Sequence, residues 1–413
     1  MNKNQPFSRL LLQPNFKKLW VSQLLSQLTI NLVNFSILTH IYGRTGSTIA
    51  VSLLWISYSL PALLIAPFAA GLVDRFSLRR LMVITNLLQA ATVASYLLVG
   101  NNIFLLYSLV FLYSSLDQLY LPSQQASIPW LVPKALFSAA NGIFFLTQQA
   151  SFLVGFGLGG VFLSLLSRNV TIMLSSLFLA FAAFSVSLLP RDKIHIKSVI
   201  SFDKFFQDFR QGYLFVNSHP QVRLPLALIV FFQVFTVTLS ILLPSYTHRI
   251  LGLDLSRSGV ILIIPGALGA LMFTYILPRL LKRYRKKVII QSGFVAASAS
   301  LIMLSLLGRI TFVYRIWISI AVVVGLGIAL ASVVIPSQTL LQEKAPEALR
   351  GRVYSVLGFL MTLSTTIPLI IAASLADLLG VSTIIGLMAV LLFAGFIFIK
   401  NRGDYVLANG SWL

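Results

Sequence analysis

Cysteine is absent from the 413 residues, so disulfides, thiolate metal sites and cysteine nucleophiles are impossible. Charge is scarce as well. Only 10% of residues are Asp, Glu, Lys or Arg, against about 25% in an ordinary soluble domain. Acid is scarcer still, with 10 Asp+Glu against 31 Lys+Arg and a net charge of +21. No HExxH pattern, carboxylate pair or nucleophile elbow occurs, so neither an enzyme nor a cofactor or metal site is expected. What the chain has in excess is apolar surface: 57% of residues are hydrophobic and the mean hydropathy is +0.90. No soluble fold can hide that much, and disorder is excluded for the same reason.

A helix needs about 20 apolar residues to cross a bilayer. Apolar runs bounded by charges or turn residues fall at Leu19–Tyr42, Ile49–Val73, Leu81–Gly100, Ile103–Ala126, Phe137–Leu166 and Val170–Leu189. After a polar stretch come Leu224–Thr247, Val260–Leu281, Val288–Leu307, Trp317–Pro336, Val353–Leu375 and Val381–Ile399. The hydrocarbon core holds no water to satisfy an open backbone, so each run is expected to be a helix. The expected fold is all-α, with 12 transmembrane helices in two six-helix bundles, residues 1–190 and 224–413, joined by a linker over 191–223. Met1 to Lys18 is polar and basic, shows no small-residue cleavage site, and reads as the lead-in to a first membrane helix.

The basic residues orient the spans. With twelve crossings both termini share a side, and 25 of the 31 Lys and Arg fall there. The opposite loops hold only Arg44, Arg168, Arg249, Arg257, Arg309 and Arg315. That asymmetry predicts cytoplasmic termini and accounts for the basic charge without nucleic acid. Compact loops suit a bacterial inner membrane. In the linker, Phe202, Phe205, Phe206, Phe209 and Tyr213 recur at helical spacing around Lys204, Asp208 and Arg210. They predict an amphipathic helix that either lies in the cytoplasmic interface or packs on the protein's own cytoplasmic face.

The halves look repeated. Thr39-His40 ends the first span and Thr247-His248 the seventh; Pro122-Ser123-Gln124 closes the fourth and Pro336-Ser337-Gln338 the tenth. Val132-Pro-Lys-Ala-Leu136 then matches Ala345-Pro-Glu-Ala-Leu349, and Pro61 and Arg75 match Pro265 and Arg279. The offsets stay near 204–214 residues and in order, which argues for duplication of a six-helix unit.

Between the second and third spans stands Gly71-Leu-Val-Asp74-Arg75-Phe-Ser-Leu-Arg79-Arg80. This resembles the loop signature of the major facilitator superfamily, although Ser77 or Leu78 replaces its second glycine. The stretch Pro122 through Asn141 and Leu349-Arg350-Gly351-Arg352-Val353 are similar to the bacterial efflux branch, which includes macrolide and siderophore exporters. The resemblance implies a secondary transporter in which Gly71, Asp74, Arg75 and Arg79 latch one access state against Arg350 and Arg352 at the start of the eleventh span. Physically, Gly71 allows close helix approach, and Asp74 is favoured beside cations and a helix N-terminus. A solvated positive-inside loop would use the same arginines.

Of the ten acidic residues only Asp117 lies well inside a span. A carboxylate there costs about 2.5–3.5 kcal/mol by insertion scales and often serves an ion or proton pathway. Tyr113, Asp117, Tyr120 and Gln124 share one face of the fourth span, placed here toward a central cavity. The alternative is a structural acid paired with a hydroxyl or amide. Gln23, Gln27, Asn31 and Asn34 stripe the first span, where helix–helix hydrogen bonds are the competing role. Asn31 and Asn34 near mid-span, Gln148 on the fifth span, and Gln233 and Thr236 on the seventh complete the cavity candidates. Gly155 and Gly159 on the fifth span and Gly266 and Gly269 on the eighth suit close packing at the bundle interface. Formally Gly155-x-Gly157-x-x-Gly160 fits a dinucleotide fingerprint, but no strand precedes it. His40 and His248 at the outer span ends read as interfacial residues or pH sensors.

The expected function is alternating-access transport, with efflux of a lipophilic or amphipathic small molecule driven by proton antiport, in a monomer whose other partner is the lipid bilayer. The superfamily's span-one carboxylate is replaced here by the Thr29–Ile30 region and its span-four arginine is missing, so coupling falls to Asp117. Import or lipid translocation on the same fold is the alternative. A membrane enzyme or a channel would need a catalytic cluster or a filter, and neither is visible.

Overall fold

In the computed structural model the described residues are 10–65, 76–100, 102–133, 136–191, 202–346 and 349–407. Among them there is no strand. The α-helices are α1 (Pro14–Thr45), α2 (Thr48–Leu64), α3 (Leu78–Ser95), α4 (Ile103–Leu131), α5 (Phe137–Phe152), α6 (Gly159–Ser187), α7 (Phe202–Ser218), α8 (Pro220–Arg249), α9 (Ile264–Arg283), α10 (Lys286–Leu306), α11 (Phe312–Lys344), α12 (Arg350–Leu379) and α13 (Val381–Leu407). Eight helical stretches among the described residues are long and apolar enough to cross a membrane.

Local chemistry sets the boundaries. Ser77 caps α3 by accepting from the Arg80 N–H at 3.3 Å, and Asn102 caps α4 by accepting from Leu105 N–H at 3.1 Å. Pro220 sits in the first turn of α8, where its missing N–H costs nothing. Gly380 ends α12 at φ 86°, a conformation that favours glycine. One boundary lies inside a continuous helix: Ser167 at φ 61°, ψ 160° breaks α6 into a part that continues α5 and a part that forms the next span. The fifth span passes from α5 through a π-turn at Leu153–Gly157 into α6, and a second π-turn, Gly259–Ile263, leads into α9. Each π-turn contains a glycine, as expected where a span is locally unwound.

The chain divides into two compact units, Met1–Gly43 with Leu53–Phe202, and Arg44–Ser52 with Asp203–Leu413. In the first, α3 packs against α4 and α6, over a core that includes Phe16, Leu19, Met82, Tyr120, Ile128 and Phe144. In the second, α11 packs against α8, α9 and α10, and α10 against α13. Its core contains Phe232, Phe235 and Phe294, with the Phe232 and Phe294 rings meeting edge to face at 4.9 Å.

The linker helix α7 packs on the second unit. Phe209 meets the Phe359 ring at 5.1 Å, Phe215 and Val216 join a cluster with Val222, Leu226, Leu341 and Val353, and Gly212 lies against the Arg352 backbone. A Cβ at Gly212 would stand 2.6 Å from the Arg352 carbonyl oxygen, so glycine is what permits this approach. Of the two placements open from the sequence, α7 uses packing on the protein's own body for this face.

Large apolar side chains such as Leu98, Phe104, Leu165, Trp317 and Leu378 stand exposed around both units. That much apolar surface is suited to hydrocarbon and would drive association in water.

Candidate functional site

The first unit holds a buried polar cluster built by α1, α3 and α4. Asn86 of α3 donates from Nδ2 to Ser22 Oγ at 3.2 Å and accepts at Oδ1 from Ser26 Oγ at 3.1 Å. Ser22 Oγ also lies 3.1 Å from Tyr120 OH, so α4 is drawn into the same set. All four side chains are buried. Elsewhere α1 is tied by Trp20 Nε1 donating to Thr147 Oγ1 at 2.8 Å, Gln23 Nε2 to the Phe144 carbonyl at 3.0 Å and Thr29 Oγ1 to the Ser175 carbonyl at 3.1 Å. The first helix is thus the polar spine of its unit.

Asp117 lies one turn before Tyr120 on α4 and keeps partial exposure while Tyr113, Tyr120 and Gln124 on its own stripe are buried. Gln89, three residues past Asn86 on α3, faces the Asp117 carboxyl. Neither Gln89 amide atom completes a hydrogen bond of standard length and angle, although the side chain is only 1% exposed. The phenols of Tyr58, Tyr113 and Tyr120 complete the electrostatic surroundings of Asp117. Ser114 Oγ donates to the Tyr58 carbonyl at 2.6 Å and holds α2 against α4 there. Beyond Tyr58 an aromatic wall runs through Trp55, stacked on Phe156 at 6.0 Å, to Phe152 and Phe35. The Trp55 indole N–H is buried without a partner. Chemically this is one acid able to take up a proton, a neutral amide able to donate or accept beside it, and a broad aromatic surface.

The other residues singled out by sequence fall as follows. Asn31 is half-buried and turns Nδ2 back to the Gln27 carbonyl at 2.7 Å, and Asn34 is buried. Gln124 is buried with Nε2 unpaired, and Gln148 is exposed on α5. On α8 Gln233 is half-buried, and Thr236 donates to the Phe232 carbonyl of its own helix at 2.9 Å. Gly71, Asp74 and Arg75 lie outside the described residues. Arg79 is half-buried in the first turn of α3, Arg350 begins α12, and Arg352 is half-buried with its backbone against Gly212.

The glycines make their contacts inside each unit. Gly155 and Gly159 press on Asn31 and Phe35 of α1, and Gly266 and Gly269 on Val323 and Val324 of α11. Reciprocally, Gly327 of α11 presses on the Gly266 backbone. Among the described residues no group of three or more His, Asp or Glu could hold a metal ion.

The sequence model of the Major Facilitator Superfamily matches residues 19–368, from α1 into α12. The chain belongs to the major facilitator superfamily. It is 23% identical over 376 residues to macrolide efflux protein A of Streptococcus pyogenes, covering 89% of this chain and 90% of that protein. It is 24% identical over 373 residues to the multidrug efflux pump Tap of Mycolicibacterium fortuitum, covering 86% and 87%. Among solved structures, the nucleoside transporter NupG superposes with a TM-score of 0.72 at 12% identity, covering 93% of this chain and 99% of that one. Superfamily membership makes the protein a multi-pass membrane transporter, and the helical architecture expected from the apolar runs is the superfamily fold.

Proposed function

We propose that this superfamily member exports a lipophilic or amphipathic small molecule by alternating access, coupled to inward movement of protons through Asp117. The carrying observation is the placement of Asp117: a carboxyl midway along a membrane helix, part-exposed, beside a buried amide and three phenols. An intramembrane acid is expensive to keep, on the order of 2.5–3.5 kcal/mol on insertion scales, which favours a working role. The neighbouring aromatic wall of Trp55, Phe152 and Phe156 suits an apolar ligand better than a sugar or phosphate. The names of the two efflux relatives support the outward direction. The charge asymmetry supports cytoplasmic termini in a bacterial plasma membrane.

In this cycle protonation of Asp117 neutralises the acid and lets one access state relax to the other. Release of that proton on the far side resets it, and one substrate moves per reset. Asp117→Asn fixes the neutral form. The variant, reconstituted in vesicles with an efflux substrate found by a thermal-shift panel, is expected to lose pH-gradient-driven transport and keep energy-independent exchange. Wild-type accumulation under a pH gradient would reject the coupling role, and accumulation in the opposite sense would replace efflux with import.

A further inference from the structure

The short peptide Arg44–Ser52 connects α1 to α2, both mainly in the first unit, yet it is part of the second unit. The reason is visible in the hydrogen bonds at the start of α2. A helix leaves its first four N–H groups without intrahelical partners. Here Ala50 N–H donates to Ser47 Oγ at 3.4 Å and Val51 N–H to the Ser47 carbonyl at 3.4 Å, which is ordinary local capping. The other two groups look 329 and 328 residues away. Thr48 N–H donates to both carboxylate oxygens of Asp377 at 3.0 and 3.1 Å, and Ile49 N–H to Oδ2 at 3.1 Å. Ser47 Oγ donates to the same oxygen at 3.0 Å. The acid belongs to the last turn of α12, past the apolar run that ends at Leu375.

Two more contacts fix the same peptide. Thr48 Oγ1 lies 2.6 Å from Ser245 Oγ on α8, and Arg249 donates to the Gly46 carbonyl at 3.0 Å. Gly46 sits at φ 60°, the turn that presents its carbonyl. A carboxylate at a helix N-terminus is favoured by the helix dipole as well as by the N–H donors.

We propose that Asp377 is a releasable clasp: supplied in trans, it caps α2 and holds the α1–α2 connection onto α12 and α8 in one access state, and lets go in the other. This rests on the alternating-access reading above, in which the two units move against each other, so a peptide that joins helices of one unit but is bound within the other must change partners. The binding is suited to repeated release. Its directional part is a set of hydrogen bonds to a half-exposed acid, whose donors water can take over when it opens, and the buried apolar side chain of the peptide itself is Val51. Burial alone would push the Asp377 carboxyl up, but donors from Ile49, Thr48 and Ser47 outweigh it and hold the group below the usual carboxylate value. Charged or titratable groups in the chain flanking the clasp are His40, Tyr42, Arg44, Tyr246, His248, Arg249 and Asp254, and Arg249 binds the same peptide at the Gly46 carbonyl.

The absence of native cysteine makes a direct test simple. Exposed Ile49 and Leu378 are changed to cysteine in the full chain, spin-labelled and placed in lipid nanodiscs. Their backbones stay free to form the clasp. Dipolar broadening of the spectrum is expected with Asp377 intact. It should be lost in Asp377→Ala, reduced in Asp377→Asn, and reduced less in Ser47→Ala, which removes one donor of three. Should Asp377→Ala fold poorly, the isosteric Asp377→Asn carries the measurement. Unchanged broadening in both Asp377 variants overturns the clasp, and so does a lower thermal midpoint with unchanged broadening, which would leave Asp377 a static cap. The readout needs neither substrate nor proton gradient, so its failure is separate from failure of proton-coupled efflux.

Discussion

The Asn86 side chain donates to the Ser22 hydroxyl over 3.2 Å, beside the apolar core of its unit. The same amide accepts from Ser26, so a single residue of α3 satisfies two hydroxyls of α1. Interhelical hydrogen bonds in membranes average about 0.6 kcal/mol each and reach about 1.7. Asn86→Leu removes both and leaves Ser22 to the Tyr120 hydroxyl. It is expected to destabilise the protein by about 1–3 kcal/mol, seen as a lower thermal midpoint in detergent. A midpoint equal to wild type would mean the cluster contributes nothing to holding α1 in place.

Gly269 and Gly327 bring α9 and α11 to backbone contact, with no room for a Cβ on either. Overpacking of this kind costs about 1–3 kcal/mol. Gly327→Ala should therefore lower the thermal midpoint. Gly358 is the control: it lies in α12 with nothing within 4 Å of an added Cβ. Gly358→Ala should be neutral or stabilise by up to about 1 kcal/mol through helix propensity. Equal effects at the two sites would refute the packing argument.

The spans were legible because bilayer thickness and backbone satisfaction leave a long apolar run few alternatives. The stripe of Tyr113, Asp117, Tyr120 and Gln124 was legible too, since helical spacing fixes a common face. What spacing could not give is where that face looks: three of the four side chains turn into the body of the first unit, and Asp117 alone stays part-exposed. Ser22 and Ser26 carry no readable signal, because hydroxyls in apolar helices commonly bond their own backbone, as Thr236 and Ser240 do here. Asn86 and Gln89 do carry one, two amides three residues apart in an apolar run, the same kind of signal as the amide stripe of the first span. Asp377 is different again. Near a span end an acid is cheap, and nothing local encodes a partner 330 residues distant.

The clasp has a definite pH dependence. Asp377 is held below its ordinary value in the bound arrangement. A depressed acid contributes binding that is fully present above the unperturbed value, about 3.9 for Asp, and is lost as pH falls through the lowered one. The label broadening between positions 49 and 378 should therefore stay constant from about pH 8 to about pH 5 and decline only in stronger acid. A loss around neutral pH would be the signature of a histidine and would reject Asp377 as the controlling group.

Ser167 offers a last test, of the turn between the fifth and sixth spans. Its φ of 61° with ψ of 160° lies in a region that is essentially reserved for glycine. Such a residue stores about 1–3 kcal/mol of strain, which the flanking helical parts of α6 must hold in place. Ser167→Gly relieves it, at an unfolded-state entropy cost of up to about 1 kcal/mol. The net expectation is a gain of about 1 kcal/mol, measured as a raised thermal midpoint. Ser167→Ala keeps the Cβ and so the strain, and should leave the midpoint near wild type. If alanine stabilised as much as glycine, the gain would come from losing the hydroxyl and the backbone explanation would fail.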